Sequence, residues 1–365
     1  MQFTPYTEEL EPLVKAFNAR LRDGGYPWRY AESHMGRYPR RDDIALYEES
    51  FLVLDHGQVR GGYHLKHQQF AIHGTIETLG HIQFPVSEGL VDPAYKMVGV
   101  LLLRDALRRQ PLMLSFGGGG LNGPLPRLEQ ASGWTVYAVP FFFKVVHPSR
   151  FFSNVTYLRT RSHRRVVLDV LGCTGLGWAG IRIAQVRLYR PHDSLQISTV
   201  PKFGAWADEL WEQCKGQYSF VAVRRADILN TLYPPGGSRY LRLHFSRNGK
   251  TIAWVVALDT QMSGHKQLGN MRVGSIADCL AAPQDAAAVL SAVTTYLQAR
   301  NVDLIVSNQT NRAWCDALRR CGFLPGPSNV ALGLCQQLAA KLNSGTERFG
   351  GFHFNRGDGD GPTNL

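Results

Sequence analysis

Apolar residues at Leu10, Leu13, Val14, Phe17 and Leu21 recur at helical spacing and give one apolar face. Thr7 can cap this helix, Glu8 and Glu9 complement its dipole, and Gly24-Gly25 stop it. Residues 26–49 are rich in Arg, Tyr and Pro and read as irregular. Phe51–Leu54 and Val59–Phe70 then read as strands around the turn Asp55–Gln58, and Thr75–Phe84 as a third strand. Pro93 sits where a helix can begin, with Val100, Leu103 and Leu107 as its stripe. Leu112–Phe116 is a short apolar strand, Gly117–Gly120 breaks it, Pro124–Gln130 is helical, and Trp134–Val146 is strand-rich.

The same order returns later. Ala205–Cys214 is a helix. Leu241–Phe245 and Thr251–Leu258 form a hairpin closed by Asn248-Gly249. Met271–Leu280 is a strand, Pro283 opens a long helix to Arg300, Asp303–Val306 is a strand, and Arg312–Arg320 is a helix ended by Gly322-Phe323. A repeat of this size is a repeated domain, since solenoid periods are only about 20–50 residues. The expected organisation is a first domain over 1–146, a helical linker over 147–203, a second domain over 204–342 and a Gly/Asp-rich tail over 343–365.

Composition narrows this picture. A chain of 365 residues with 44% hydrophobic content has material for two cores. The net charge of +11 favours anionic partners without choosing among nucleic acid, a membrane surface and phosphorylated ligands. The six cysteines are scattered at 173, 214, 279, 315, 321 and 335, with no metal-ligand spacing, and read as reduced, mostly buried thiols. No basic start precedes an apolar core at the N-terminus, so a cytoplasmic protein is expected. The longest apolar run, Val166–Ile181, contains Asp169 and four glycines and is shorter than the ~20 residues a span needs. It reads as a packed linker helix, next to the basic cluster Arg159–Arg165.

The element order resembles that of the GNAT N-acyltransferase superfamily, twice over. Val91–Val100 looks like the superfamily's coenzyme A loop, with Lys96 and Gly99 in its first two fixed positions and Leu101 where a small residue is expected. Trp314–Phe323 resembles the superfamily's late helix ending in Gly-Phe, and Pro126–Trp134 is its weaker counterpart. The resemblance implies an α/β (α+β) fold of two GNAT-like domains, each a mixed, mostly antiparallel sheet flanked by helices. It implies an acyl-CoA, acetyl-CoA first, bound at Lys96, Met97, Val98, Gly99 and Val100. Doubled architecture of this kind is shared by envelope- and exopolysaccharide-associated acetyltransferases and by Fem-type transferases. The second copy has Ala281–Ala286 at the equivalent turn, without glycine or a basic residue, and is expected to hold no coenzyme.

Chemistry narrows the candidates further. A glycine at a helix start lets backbone amides approach an anion, and the helix dipole adds positive potential. Acyl transfer to an amine also needs a base and donors for the developing oxyanion. Glu88 and His81 are the nearest candidate bases to the loop; an exposed loop carboxylate and a core histidine are their bland alternatives. Gly118 and Gly119, within Gly117–Gly120, can let a substrate approach the backbone. The Walker ending is missing, which excludes an NTPase reading. Asp278, Asn308, Asn311 and Asn329 at predicted strand ends can hydrogen-bond a polyhydroxylated acceptor, or serve as turn residues and caps.

The expectation is an acyl-CoA-dependent N-acyltransferase acting on an amine of a small molecule or cell-envelope glycan precursor. No metal and no membrane span are expected, and the oligomeric state stays open. The alternatives are a Fem-type aminoacyl transferase, the one reading that calls for nucleic acid, and a non-catalytic binding protein. The tail carrying Asp358 and Asp360 reads either as a flexible end or as a segment docked in a basic groove.

Overall fold

The computed structural model describes residues 1–156, 168, 170, 176–186, 188–189, 195–236, 239–343 and 349–359. The basic cluster 159–165, most of the run 166–175, Cys173 and Asp360 lie outside them. Two compact units are formed, one of Met1–Ala138 with Asn329–Ser344, the other of Val139–Ser328 with Gly345–Leu365.

The first stretch of chain runs β1 (Gln2–Pro5), α1 (Glu11–Asp23), β2 (Leu46–Asp55), β3 (Gln58–Ile72), β4 (Thr75–Ser87), α2 (Val98–Arg109), β5 (Met113–Gly118), α3 (Pro124–Ala131) and β6 (Thr135–Val145). It continues through α4 (Pro148–Asn154), α5 (Leu176–Ala184), β7 (Gln196–Thr199), α6 (Ala205–Cys214), β8 (Phe220–Ala222) and α7 (Ala226–Leu232). Then come β9 (Leu241–Arg247), β10 (Lys250–Gln261), β11 (Arg272–Ala281), α8 (Ala286–Ala299), β12 (Leu304–Asn308), α9 (Arg312–Arg320), β13 (Leu324–Leu334), α10 (Gln336–Leu342) and β14 (Phe352–His353).

Elements with a strong period match the sequence expectation. Departures occur where the pattern is weak. β2 begins at Leu46, inside the stretch expected to be irregular, because Tyr47–Ser50 are half-exposed and show no alternation. Thr7 makes no side-chain cap; a 3-10 turn, Glu8–Leu10, leads into α1 instead. β1, β7 and β8 are three- or four-residue strands, too short to carry a period.

In the first unit the strand order is β1-β2-β3-β4-β5, followed by the end of β13. All neighbours are antiparallel except β4 and β5. One face of this sheet is covered by α1, whose Val14, Phe17 and Leu21 pack with Tyr30, Leu52, Val59 and Val86. Each such side chain contributes about 1.5–3 kcal/mol by leaving water. In the second unit β6 pairs with β12, then β11, β10, β9 and β7 follow. Only β11–β12 is parallel within that run. Met271, Val273, Leu304 and Val306 meet Phe151 and Phe152 of α4 there, with Ile181 of α5 packed against them.

Residues 349–359 of the tail pack into the second unit. β14 pairs in parallel with β8, and Phe352, His353, Phe354 and Asn355 are fully buried in the second unit. Cys214, Cys279, Cys315, Cys321 and Cys335 are all buried, and none is in a disulfide. Among the described residues no helix is long and apolar enough to cross a membrane.

Candidate functional site

In the first unit β4 and β5 share a parallel ladder only at Gly80↔Met113 and His81↔Leu114. Beyond it the two strands follow different neighbours, β4 with β3 and β5 with β13. Where they part, β4 carries a bulge. Gly62 faces Val86 and His64 faces Gln83, so Phe84 and Pro85 together oppose Tyr63. Phe84 takes a left-handed φ of 44° and is 47% exposed. Such backbone is costly for a phenylalanine and is found where a chain is bent for a purpose. Sequence reading missed this bulge; Pro85 inside a strand was the available signal.

His81 stands at this fork with 1% exposure. Its Nε2 accepts the Phe116 N–H of β5 at 3.0 Å, which places the ring proton on Nδ1. Burial and the Lys66 ammonium hold it well below its usual pKa. It is a neutral clamp between the two strands in this geometry.

After β4 the chain makes two 3-10 turns, Glu88–Leu90 and Pro93–Tyr95, and enters α2 at Val98. Met97 gives no side-chain cap and the first turn has no acidic residue. The amides of Val98, Gly99 and Val100 precede the first intrahelical bond, Leu101 N–H to Met97 O at 3.1 Å. Lys96 is exposed and no carboxylate pairs with it among the described residues. Val98 points into the core and is fully buried. A Cβ at Gly99 would meet only Leu128 Cδ2, at 3.5 Å. Packing therefore does not demand glycine there, and the space beside its backbone is open. Lys96, the orphan amides and this open backbone together fit an anion such as a coenzyme pyrophosphate. Leu101 is half-buried on the same helix.

Glu88 is 3% exposed and fully engaged. Arg20 donates to it from Nε at 2.7 Å and from Nη2 at 3.3 Å, and Arg60 from Nη1 at 3.0 Å. Arg60 also stacks on Tyr95, 4.2 Å from its ring centre. The carboxylate thus ties α1 and β3 to the turn that leads into α2. Gly89 beside it is sterically required: a Cβ would lie 2.5 Å from Tyr95 O and 2.8 Å from Lys96 Cα.

The loop after β5 holds Gly119 and Gly120 at φ of 107° and 63°, which suits glycine. Gly118 pairs with Val330, and Asn329 enters through its carbonyl, which accepts from Gly119 N–H at 3.2 Å. The helix after this loop carries a group not singled out from sequence. Glu129 is fully buried and neither carboxyl oxygen has a hydrogen-bond partner in good geometry. Burial pushes its pKa up to about 7, and the nearby Ser115 hydroxyl lowers it in part. The missing Cβ of Gly333 makes room; it would sit 2.5 Å from both Glu129 Oε2 and Ser115 Oγ.

The second unit repeats the fork. β11 and β12 pair from Val273↔Leu304 to Ile276↔Ser307. A bulge follows at Ala277, since Val256 faces Asp278 and Ala257 faces Ile276. Here the gap is filled by the tail. On one side Cys279 O accepts from His353 Nε2 at 2.8 Å and Asn355 Nδ2 at 3.4 Å. On the other, Thr310 N–H and Oγ1 donate to Phe354 O and Phe352 O at 3.2 and 2.8 Å. Asp278 is fully buried below, bound by Arg224 Nε at 3.3 Å and by Tyr233 Oη at 2.6 Å. Arg224 Nη2 donates to Asp358 as well, at 2.5 Å. Burial raises Asp278 to about 6, with Arg224 pulling it down and Asp358 pushing it up. Gly357 fits because a Cβ would overlap the Tyr233 hydroxyl.

The remaining candidates are dispersed. Asn308 is buried on β12, with Nδ2 3.5 Å from Pro140 O. Asn311 caps α9 through Ala313 N–H at 3.0 Å and donates to Gly350 O at 3.2 Å. Among the described residues no cluster of His, Cys, Asp or Glu is placed to hold a metal ion.

No protein-family model matches this sequence. No curated protein matches it either. Solved structures do. A Saccharomyces cerevisiae N-myristoyltransferase with bound myristoyl-CoA is similar at TM-score 0.55 and 11% identity, over 92% of this chain and 82% of that one. A second structure of that yeast enzyme with myristoyl-CoA aligns at TM-score 0.53 and 10% identity, over 92% and 78%. An Enterococcus faecalis protein described as a probable N-acyltransferase aligns at TM-score 0.52 and 10% identity, over 93% and 73%. The fold is therefore the mixed α/β, GNAT-like fold of these N-acyltransferases.

Proposed function

We propose that this protein is an acyl-CoA-dependent N-acyltransferase with one acyl-CoA site, on the first unit. The reading takes the chain as two GNAT-like copies, 1–146 and 204–342, with the linker 147–203 between them in sequence. The coenzyme phosphates lie at Lys96–Val100, and the acyl-bearing arm enters the fork between β4 and β5. The observation that carries this is the uncapped start of α2, with an unpaired lysine and a glycine that packing does not require. The yeast neighbours hold myristoyl-CoA, which supports an acyl-CoA as donor. Acetyl-CoA is the first donor to test.

The reaction would form an N–C bond to the acceptor amine, break the thioester C–S bond, release coenzyme A as its thiol and pass the amine proton to a base. Glu88 and His81 are the candidate bases of this reading. The ion pairs from Arg20 and Arg60 support a positioning role for Glu88 over that of a base. The bond from Phe116 N–H supports the same for His81. Glu88→Gln separates the two roles: a lost base lowers kcat with acyl-CoA affinity intact, and a lost strut weakens affinity. The acceptor of this reading is an amine on a small molecule or envelope-glycan precursor.

The test is calorimetric titration of the full chain with acetyl-CoA and with longer acyl-CoAs. The reading expects one site per chain and a stabilised fold on binding. No binding by any acyl-CoA would leave the non-catalytic alternative. Tight, steeply salt-dependent binding of aminoacyl-tRNA instead would favour the Fem-type alternative.

A further inference from the structure

The helix α5 of the second unit is apolar on every side except at Arg182. A helix of that composition is ordinarily buried. Here only part of it is, through Ile181 against the α4 core. Trp178 is 53% exposed and Ile183 is 75% exposed, and the chain that follows exposes Val186 and Leu188 at 57% and 75%. Single exposed apolar residues need no explanation, but four such side chains fall within eleven residues of sequence.

Two of them, Trp178 and Val186, border an open cleft of about 730 Å³ between α5 and residues 144–150 at the end of β6 and start of α4. Arg150, Arg182 and His147 line it, with Trp178 and Ile181. His147 Nε2 is buried there without a hydrogen-bond partner. Arg182 has no carboxylate partner among the described residues and lies over the Trp178 ring, 5.3 Å from its centre. Arg150 is 55% exposed and meets Asp303 at 3.2 Å. The cleft thus offers the guanidinium groups of Arg150 and Arg182, with indole and aliphatic side chains around them.

We propose that this surface docks onto an anionic lipid bilayer. A headgroup phosphate enters the cleft between Arg150 and Arg182, and the exposed apolar side chains of α5 and the residues after it, Trp178 and Val186 at the cleft first, enter the interfacial layer. Tryptophan favours that layer because its ring is apolar and its N–H is polar. The protein's charge of +11 draws it to such a membrane from a distance. Neither a neutral bilayer nor a soluble anion satisfies both halves of the surface.

The experiment is flotation of the full chain with vesicles of phosphatidylcholine alone and of phosphatidylcholine with phosphatidylglycerol. The wild type should float only with the anionic vesicles. The variant Trp178→Ser/Ile183→Ser leaves the net charge unchanged and should weaken this binding about tenfold or more. Arg182→Gln should weaken it about fivefold. An unchanged melting temperature confirms that the variants are folded. Wild-type flotation by the double variant overturns the proposal, because charge alone then suffices. Failure of the wild type to float overturns it too. Release from vesicles by millimolar glycerol phosphate would overturn it in favour of a soluble phosphate ligand. An oligomer that Ile183→Ser takes apart, with vesicle binding unaltered, would show that a second copy covers the helix.

Discussion

The fork beside β4 and the fork beside β11 begin alike and end differently. Each follows a short parallel ladder, and each has a bulge just where the strands part. At the first fork the next helix opens without a cap, behind Lys96 and before an uncrowded Gly99. At the second, Pro283–Asp285 leads into α8, and the tail binds both Cys279 and Thr310. The same backbone device therefore leaves an accessible helix start in the first unit and seats residues 352–358 in the second. A bulged fork is a scaffold; the side chains at its mouth decide whether it takes a ligand or a strand.

The largest effect should come from unseating the tail. Arg224 is buried between Asp278 and Asp358, and Arg224→Ala strands two carboxylates without their cation. The expected loss is about 3–5 kcal/mol, read by urea unfolding. A chain ending at residue 343 loses this network and the burial of Phe352 and Phe354, and should be less stable still. Calorimetry then sharpens the comparison. If the truncated chain, where folded, bound two acyl-CoA molecules, the second fork would be a masked coenzyme site. We expect no gain, because the turn Ala281–Ala286 supplies neither a glycine nor a lysine.

A second contrast lies on the helices that follow the forks. Asp316 on α9 is 53% exposed and paired with Arg319 at 2.8 Å. Glu129 on α3 is buried and unpaired. Its folded pKa of about 7 lies above the ordinary carboxyl value, so the folded state holds the proton more tightly than the unfolded chain. The contribution is complete below the unfolded pKa, falls as pH rises, and is lost above about 7. Raising the pH from 4 to 8 should cost about 3 kcal/mol through this group alone. Glu129→Gln should remove that slope. A variant with the wild-type pH–stability curve would show that Glu129 is ionised and solvated when folded.

These contrasts mark what the sequence could tell. The hairpin at Asn248-Gly249 was legible because both residues take the left-handed backbone that this dipeptide favours, with φ of 51° and 76°. The start of α2 was only partly legible: Pro93 reads as a helix start, but it opens a 3-10 turn and α2 begins at Val98. Glu88 was not resolved between base and loop residue, since its partner Arg20 lies 68 positions earlier. Glu129 was not singled out, because the glycine that makes room for it, Gly333, lies on β13, far along the chain. The tail was read through its glycines and aspartates. Its better signal was the alternation Phe352-His353-Phe354-Asn355, a strand pattern of only four residues.

Gly89 gives a sharper test of the first fork. A Cβ there would collide with the Tyr95–Lys96 backbone, so Gly89→Ala must shift the turn or strain it. A stability loss of about 1–3 kcal/mol is expected, with weaker acyl-CoA binding beside it. Unchanged values for both, by thermal unfolding and calorimetry, would mean that the turn has a second conformation of equal energy.

Gly99→Ala should have the smallest effect on the fold and the most selective effect on the site. Its Cβ meets only Leu128 Cδ2 at an ordinary distance, and the position lies in the first turn of α2. Alanine is the better helix former, so stability should hold or rise by up to about 1 kcal/mol. The new methyl group nevertheless stands where the coenzyme phosphates would approach the amides. Affinity for acyl-CoA should fall about tenfold, and Gly99→Val should lower it further. The two measurements are expected to move in opposite directions, which a packing role for Gly99 does not allow. If Gly99→Ala lowers the melting temperature and leaves affinity unchanged, the glycine serves the helix alone and the coenzyme turn must be sought elsewhere in the first unit.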